Sequence, residues 1–115
     1  TFFAEYPSGF YSLWFRNQAN LFGSGTQLYW RSIERQWITF FSVGDFKRAT
    51  RGTAENDIYF VGDFGTVVHF DGYSMFNYQI SLPNWRYAAV SCKDRTVCAV
   101  GWRNGAGFAL IGRRQ

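Results

Sequence analysis

Three kinds of side chain in this sequence could do chemistry. They are two thiols, Cys92 and Cys98, one imidazole, His69, and eight carboxylates. Two cysteines and one remote histidine are too few ligands for a zinc site, and the Cys-x-x-Cys spacing of a redox motif is missing. Residues 91–101 read instead as two strand-like pieces joined by a polar turn at 93–96. A hairpin there sets Cys92 and Cys98 near each other across the ladder and predicts a structural disulfide. Closing so short a loop is worth ~2–2.5 kcal/mol and implies an oxidising compartment; two reduced thiols are the alternative. His69 sits in a strand-like run and reads as structural, Asp71 as a turn former, and Asp57 as a turn or strand-entry residue. The nucleophile elbow, His-Glu-x-x-His and the P-loop are not matched. Of a sialidase-type Asp box only the turn Asp71-Gly72 survives. These residues assign no catalytic group, no metal ligand and no cofactor.

A second group suits recognition rather than catalysis. Trp102, Arg103 and Asn104 are consecutive, and Arg86, Arg48 and Phe64 stand in other loop-like stretches. Guanidinium groups and aromatic rings on one face serve as protein-binding hot spots, or stack on a sugar while making polar contacts to it.

The elements that position these groups are short strands. Aromatics make up 22% of the chain, with 12 Gly but only two Pro and one Met, a composition of strands and tight turns. At 47% apolar and 17% charged the chain is a folding one. It has no apolar run of the ~20 residues needed for a membrane-spanning helix. The net charge of +4 comes mostly from dispersed arginines, with no basic run longer than the pairs Lys47-Arg48 and Arg113-Arg114, so the sequence shows no nucleic-acid stripe. No leader is visible over residues 1–10, which reads as a mature protein or a fragment.

Repetition is the strongest signal. Gly23, Gly62 and Gly101 recur every 39 residues, Gly25, Gly65 and Gly105 every 40, and Phe46 and Trp85 stand 39 apart. Each unit carries four short runs separated by turn signals such as Gly62-Asp63-Phe64-Gly65 and Asp71-Gly72. No stretch has sustained helical periodicity. Four antiparallel strands per unit of this length is the pattern of a β-propeller blade. The expected fold is therefore all-β, with about three blades of an incomplete or multi-chain propeller. Residues 10–43, 44–82 and 83–115 form the blades, the third lacks its outer strand, and 1–9 complete a neighbouring blade. Closed propellers have ~4–8 blades, so the expected partners are the remaining blades of the same propeller or other copies of the chain. In this frame Phe46 and Trp85 read as blade-packing anchors, whereas Trp102, matched by Ser24 and Asp63, has no aromatic counterpart and reads as a binding residue.

Residues 56–72, Asn-Asp-Ile-Tyr-Phe-Val-Gly-Asp-Phe-Gly-Thr-Val-Val-His-Phe-Asp-Gly, resemble the blade signature of secreted bacterial propeller-repeat proteins. They are also similar to the repeats of the photosystem II stability/assembly factor family. The run Gly-Phe-Ala-Leu-Ile-Gly-Arg-Arg at 107–114 resembles a closing blade of such proteins, and the Cys92…Cys98 arrangement resembles blades with a disulfide inside a hairpin. The resemblance spans residues 10–115 and is weaker over the first unit, where Ala19-Asn20 replaces Asn-Asp. It implies export, to an extracellular or periplasmic location, and implies no reaction. The expected function is a non-enzymatic scaffold and protein-binding module; the alternatives are a lectin-like propeller or part of a glycan-active propeller enzyme.

Overall fold

The computed structural model describes residues 9–17, 19–32, 37–40, 46–78 and 85–113. The expected strand at 2–6 lies outside them. Eleven strands and no helix occur among the described residues. β1 (Phe10–Asn17), β2 (Asn20–Gly25), β3 (Leu28–Arg31) and β4 (Trp37–Phe40) form one antiparallel sheet in chain order. A second sheet of the same order holds β5 (Lys47–Ala54), β6 (Asp57–Gly62), β7 (Val67–Phe70) and β8 (Met75–Asn77). A three-stranded sheet follows, with β10 (Thr96–Arg103) between β9 (Trp85–Lys93) and β11 (Ala106–Arg113). No sheet closes on itself.

The sheets stack in chain order. β5 lies against β1 and β2, and β9 against β5 and β6, so each sheet meets the next through its first strand. One core joins Phe22 and Leu28 of the first sheet to Ile58, Phe60 and Val68 of the second. The other joins Ala49, Tyr59, Val61 and Val67 to Tyr87, Val90 and Ala99 of the third. The middle sheet is thus covered on both faces, which is why β6 is buried throughout and needs the unbroken apolar run Ile-Tyr-Phe-Val. The third sheet is covered on one face only, and β11 alternates between exposed and half-buried residues.

A shared irregularity sets which residues face which core. Opposite Gly25, Gly62 and Gly101 stand Phe10, Lys47 and Tyr87. The next pairs are Ser24 with Ser12, Val61 with Ala49, and Val100 with Ala89. Tyr11, Arg48 and Ala88 are therefore skipped, a β-bulge at the same place in each sheet; β1 and β5 carry a second register shift further on, between 15 and 17 and between 52 and 54. At these bulges the backbones approach so closely that a side chain has no room. A Cβ on Gly62 would collide with the Phe46 carbonyl and stand 2.7 Å from Lys47 Cα. One on Gly101 would strike the Arg86 carbonyl and stand 2.9 Å from Tyr87 Cα, and one on Gly25 would strike the Gly9 carbonyl.

This corrects the repeat alignment. Gly25, not Gly23, is the structural counterpart of Gly62 and Gly101, so Trp102 corresponds to Asp63 and Thr26. His69, opposite Tyr59, corresponds to Trp30, opposite Phe22, and to Ile111, opposite Cys98. Phe46 and Trp85 lose their equivalence: Phe46 stands one residue before Lys47, Trp85 two before Tyr87.

The register also places the two cysteines of the expected disulfide. Lys93 pairs with Thr96 around the turn Asp94-Arg95, so Cys92 faces Val97 and Cys98 faces Ser91. Neighbouring ladder positions point to opposite faces. Cys92 accordingly packs against the core beside Tyr87 and Val90, with its thiol 3.6 Å from the Arg51 carbonyl, while Cys98 lies on the other face.

Two outcomes test this packing. Gly62→Ala lowers stability by about 2–3 kcal/mol in urea denaturation, because backbone must move. Gly107→Ala, whose Cβ meets nothing nearer than the Gly101 carbonyl at 3.8 Å, stays within ~0.5 kcal/mol; equal losses contradict the account. The second concerns Tyr87, whose side chain is fully buried and whose hydroxyl has no hydrogen-bond partner among the described residues. Burial raises its pKa. The folded state then keeps a proton that the unfolded state releases, so stability is complete below about pH 10 and falls above it. Tyr87→Phe removes that alkaline loss and leaves stability at pH 7 unchanged or up to ~1 kcal/mol higher. Retention of the full alkaline loss in the variant contradicts it.

Candidate functional site

The end of the stack that carries the three bulges also carries most of the residues expected to bind. The first strands start there, the second strands end there, and the turns into the third strands cross it. Arg48, the bulged residue of β5, donates from Nε to Asp63 Oδ1 at 2.6 Å. Its guanidinium carbon lies 5.9 Å from the centre of the Tyr11 ring and 5.6 Å from that of Phe46, within cation–π range. Tyr11 and Phe46 themselves meet edge to face, 4.7 Å apart. The hydrogen bond to Asp63, opposed by some desolvation, raises the Arg48 pKa, so the guanidinium stays charged. Tyr11 is the bulged residue of the first sheet, so two neighbouring bulges present a ring and a cation side by side; in the third sheet Ala88 ends the row.

Asp63 also ties the second sheet to the third. Its N–H donates to the Phe46 carbonyl at 2.8 Å, its backbone bridges to Arg86, and the next turn residue but one, Gly65, donates to the Trp85 carbonyl at 2.9 Å. Phe64, with φ of 56° ahead of Gly65 at 72°, makes the paired left-handed turn of a tight hairpin and leaves its ring 47% exposed. Asn104 and Gly105 repeat that geometry at 49° and 81° in the β10–β11 turn.

The remaining expected residues divide between two faces of the third sheet. Arg103 lies over the Trp85 ring at 5.6 Å, on the face turned to the second sheet. Trp85 packs on Phe108 at 4.4 Å between ring centres. Trp102 and Arg86 are cross-strand partners on the opposite, outward face, where Trp102 is 40% exposed. The structure therefore brings Arg48, Asp63 and Phe64 together with the main chain of Trp85 and Arg86, and splits the side chain of Trp102 from that of Arg103, as adjacent residues of a strand must be.

Sequence reading overlooked Tyr11, whose place beside Arg48 depends on the bulges. It also overlooked the other end of the stack, where Asn17, Asn20 and Glu55 meet across the first two sheets. The signal available there was the polar turn recurring between first and second strands, at 18–20, 55–57 and 94–96. Near that end His69 Nε2 stands 2.7 Å from Asp57 Oδ1, and Thr53 Oγ1 donates to Asp57 Oδ2. Asp57 is almost wholly buried, and the His69 ring lies 4.5 Å from that of Tyr59. The group clips β7 to β6 across a strand-entry residue.

No protein-family model, curated protein or solved structure matches the chain.

The Arg48–Asp63 pair is partly exposed, with side chains 31% and 18% accessible, so its energy is modest. A double-mutant cycle with Arg48→Met and Asp63→Asn gives a coupling of about 0.5–1 kcal/mol that shrinks in high salt. Additive single effects contradict a working pair.

Proposed function

We propose that the chain is a run of β-propeller blades, acting as a non-enzymatic scaffold whose uncovered faces bind further sheets and protein partners. The observation that carries this reading is the outward face of the third sheet. In the second sheet the corresponding face, with Tyr59, Val61 and Val67, is buried against its neighbour. Its counterpart in the third sheet carries Cys98, Val100, Ala109 and Ile111 alongside Trp102 and Arg86. Val100 is 48% exposed and Ile111 69%. A flat face of small and branched apolar residues with one indole has the composition of a surface made for covering. The sheets stack in one sense, each presenting the same face to the next, so the natural occupant is another four-stranded sheet. That sheet belongs to other copies of the chain or to further blades of the same propeller.

The extracellular or periplasmic location rests on the resemblance of residues 56–72 to secreted repeats. Trp102, read from sequence as a turn residue for ligands, belongs in this proposal to the docking face.

Light scattering on the purified chain tests the proposal. The wild type has a mass that is a multiple of 13.3 kDa, and Val100→Asp with Ile111→Asp reduces it to a monomer of unchanged secondary structure. A wild-type chain that remains a stable 13.3 kDa monomer contradicts the reading.

A further inference from the structure

A cleft of roughly 650 Å³ opens between the first two sheets, at the end opposite the bulges. Its volume falls in the ~300–1,000 Å³ range of small-ligand sites. Phe22, Trp30 and Phe70 supply an aromatic lining. Phe22 is buried, the other two are half-buried, and the Phe22 and Phe70 rings lie 6.3 Å apart. The polar rim comes from two turns of different sheets. Asn17 Nδ2 donates to Glu55 Oε1 at 2.7 Å and Asn20 Nδ2 to Glu55 Oε2 at 3.2 Å. Trp30 Nε1 donates to Asn20 Oδ1 at 2.7 Å. One continuous chain of hydrogen bonds thus fixes the indole, both amides and the carboxylate, and holds the two sheets at a set width.

We propose that this cleft binds a neutral saccharide. Each Glu55 oxygen accepts one amide proton here and keeps further lone-pair capacity for a hydroxyl, and Asn20 keeps a second N–H. Donors and acceptors side by side match hydroxyl groups, which both give and receive hydrogen bonds. The aromatic lining matches the C–H face of a sugar ring. Arg16 and Glu55 bring opposite charges to the rim, so their sum favours neither an anion nor a cation. A purely apolar ligand would leave the Asn17–Glu55–Asn20 chain unused. Preorganisation by bonds between turns lowers the cost of ordering on binding. This site is separate from the outward face of the third sheet and does not depend on what covers that face.

The experiment is an NMR titration of the whole chain with maltose, cellobiose, lactose and diacetylchitobiose, with uridine and inorganic phosphate as probes of other chemistry. At least one disaccharide shifts the Trp30 indole and the amides of residues 17, 20 and 55 saturably, with a dissociation constant below ~10 mM. Glu55→Gln, which keeps the side chain's size but leaves one of the two amides without its acceptor, weakens that binding at least about tenfold in a chain whose amide shifts away from residues 17, 20 and 55 stay those of the folded protein. The proposal is overturned if no disaccharide produces these shifts or the shifts map to Trp102. Preference for uridine or phosphate, or equal affinity in Glu55→Gln, overturns it as well.

Discussion

In each of the three sheets the main chain entering the first strand crosses the end of the second so closely that only a residue without a side chain fits opposite it. Gly25, Gly62 and Gly101 meet that constraint, and the bulge beside each one fixes the facing of the first-strand residues that follow it, up to the second register shift in β1 and β5. Because side chains alternate along a strand, one skipped residue moves a whole strand's apolar set from one face to the other. The bulge at Arg48 is what turns Thr50 toward the first sheet, where its N–H reaches Ser12 Oγ at 3.1 Å, and Ala49 toward the third. Stacking in one sense follows from repeating the same device three times.

Strand positions were legible in the sequence because alternation, glycine and polar turns leave marks in residue type. The expected pattern, four strands in each of the first two units and three in the third, is the one observed among the described residues. Facing was less legible. Tyr11, Arg48 and Ala88 have nothing chemical in common, so a bulge that relies on backbone geometry writes no signature at its own position. Two glycines, Gly23 and Gly25, offered themselves as the first-sheet counterpart, and equal spacing favoured the wrong one. The first turn is also short: Thr26 and Gln27 alone separate β2 from β3, whereas four residues separate β6 from β7. The placing of Cys92 and Cys98 depends on register in the same way. Sequence proximity places them in one hairpin, but a two-residue turn gives a register in which they stand on opposite faces.

The binding chemistry shows the same division. Arg48, Phe64, Arg86 and Asn104 were recognisable as turn or strand-entry residues at one end, since that follows from strand order alone. Their pairing was not, because the Arg48–Asp63 bond and the rings of Tyr11 and Phe46 around it depend on two adjacent bulges. At the other end, Asn17, Asn20 and Glu55 resemble ordinary polar turn residues until the sheets stack. Only then does the carboxylate of one turn meet the amides of another. The middle sheet is apolar and buried on both faces, whereas the third carries apolar residues on a face that stays exposed among the described residues.

Cross-strand nuclear Overhauser contacts test the register most directly. The account predicts proximity of Phe10 to Gly25, Lys47 to Gly62 and Tyr87 to Gly101, with Ser12, Ala49 and Ala89 paired one step further to Ser24, Val61 and Val100. Regular ladders that set Tyr11 against Ser24, Arg48 against Val61 and Ala88 against Val100 would contradict it, since each first strand would then present its other face to the core.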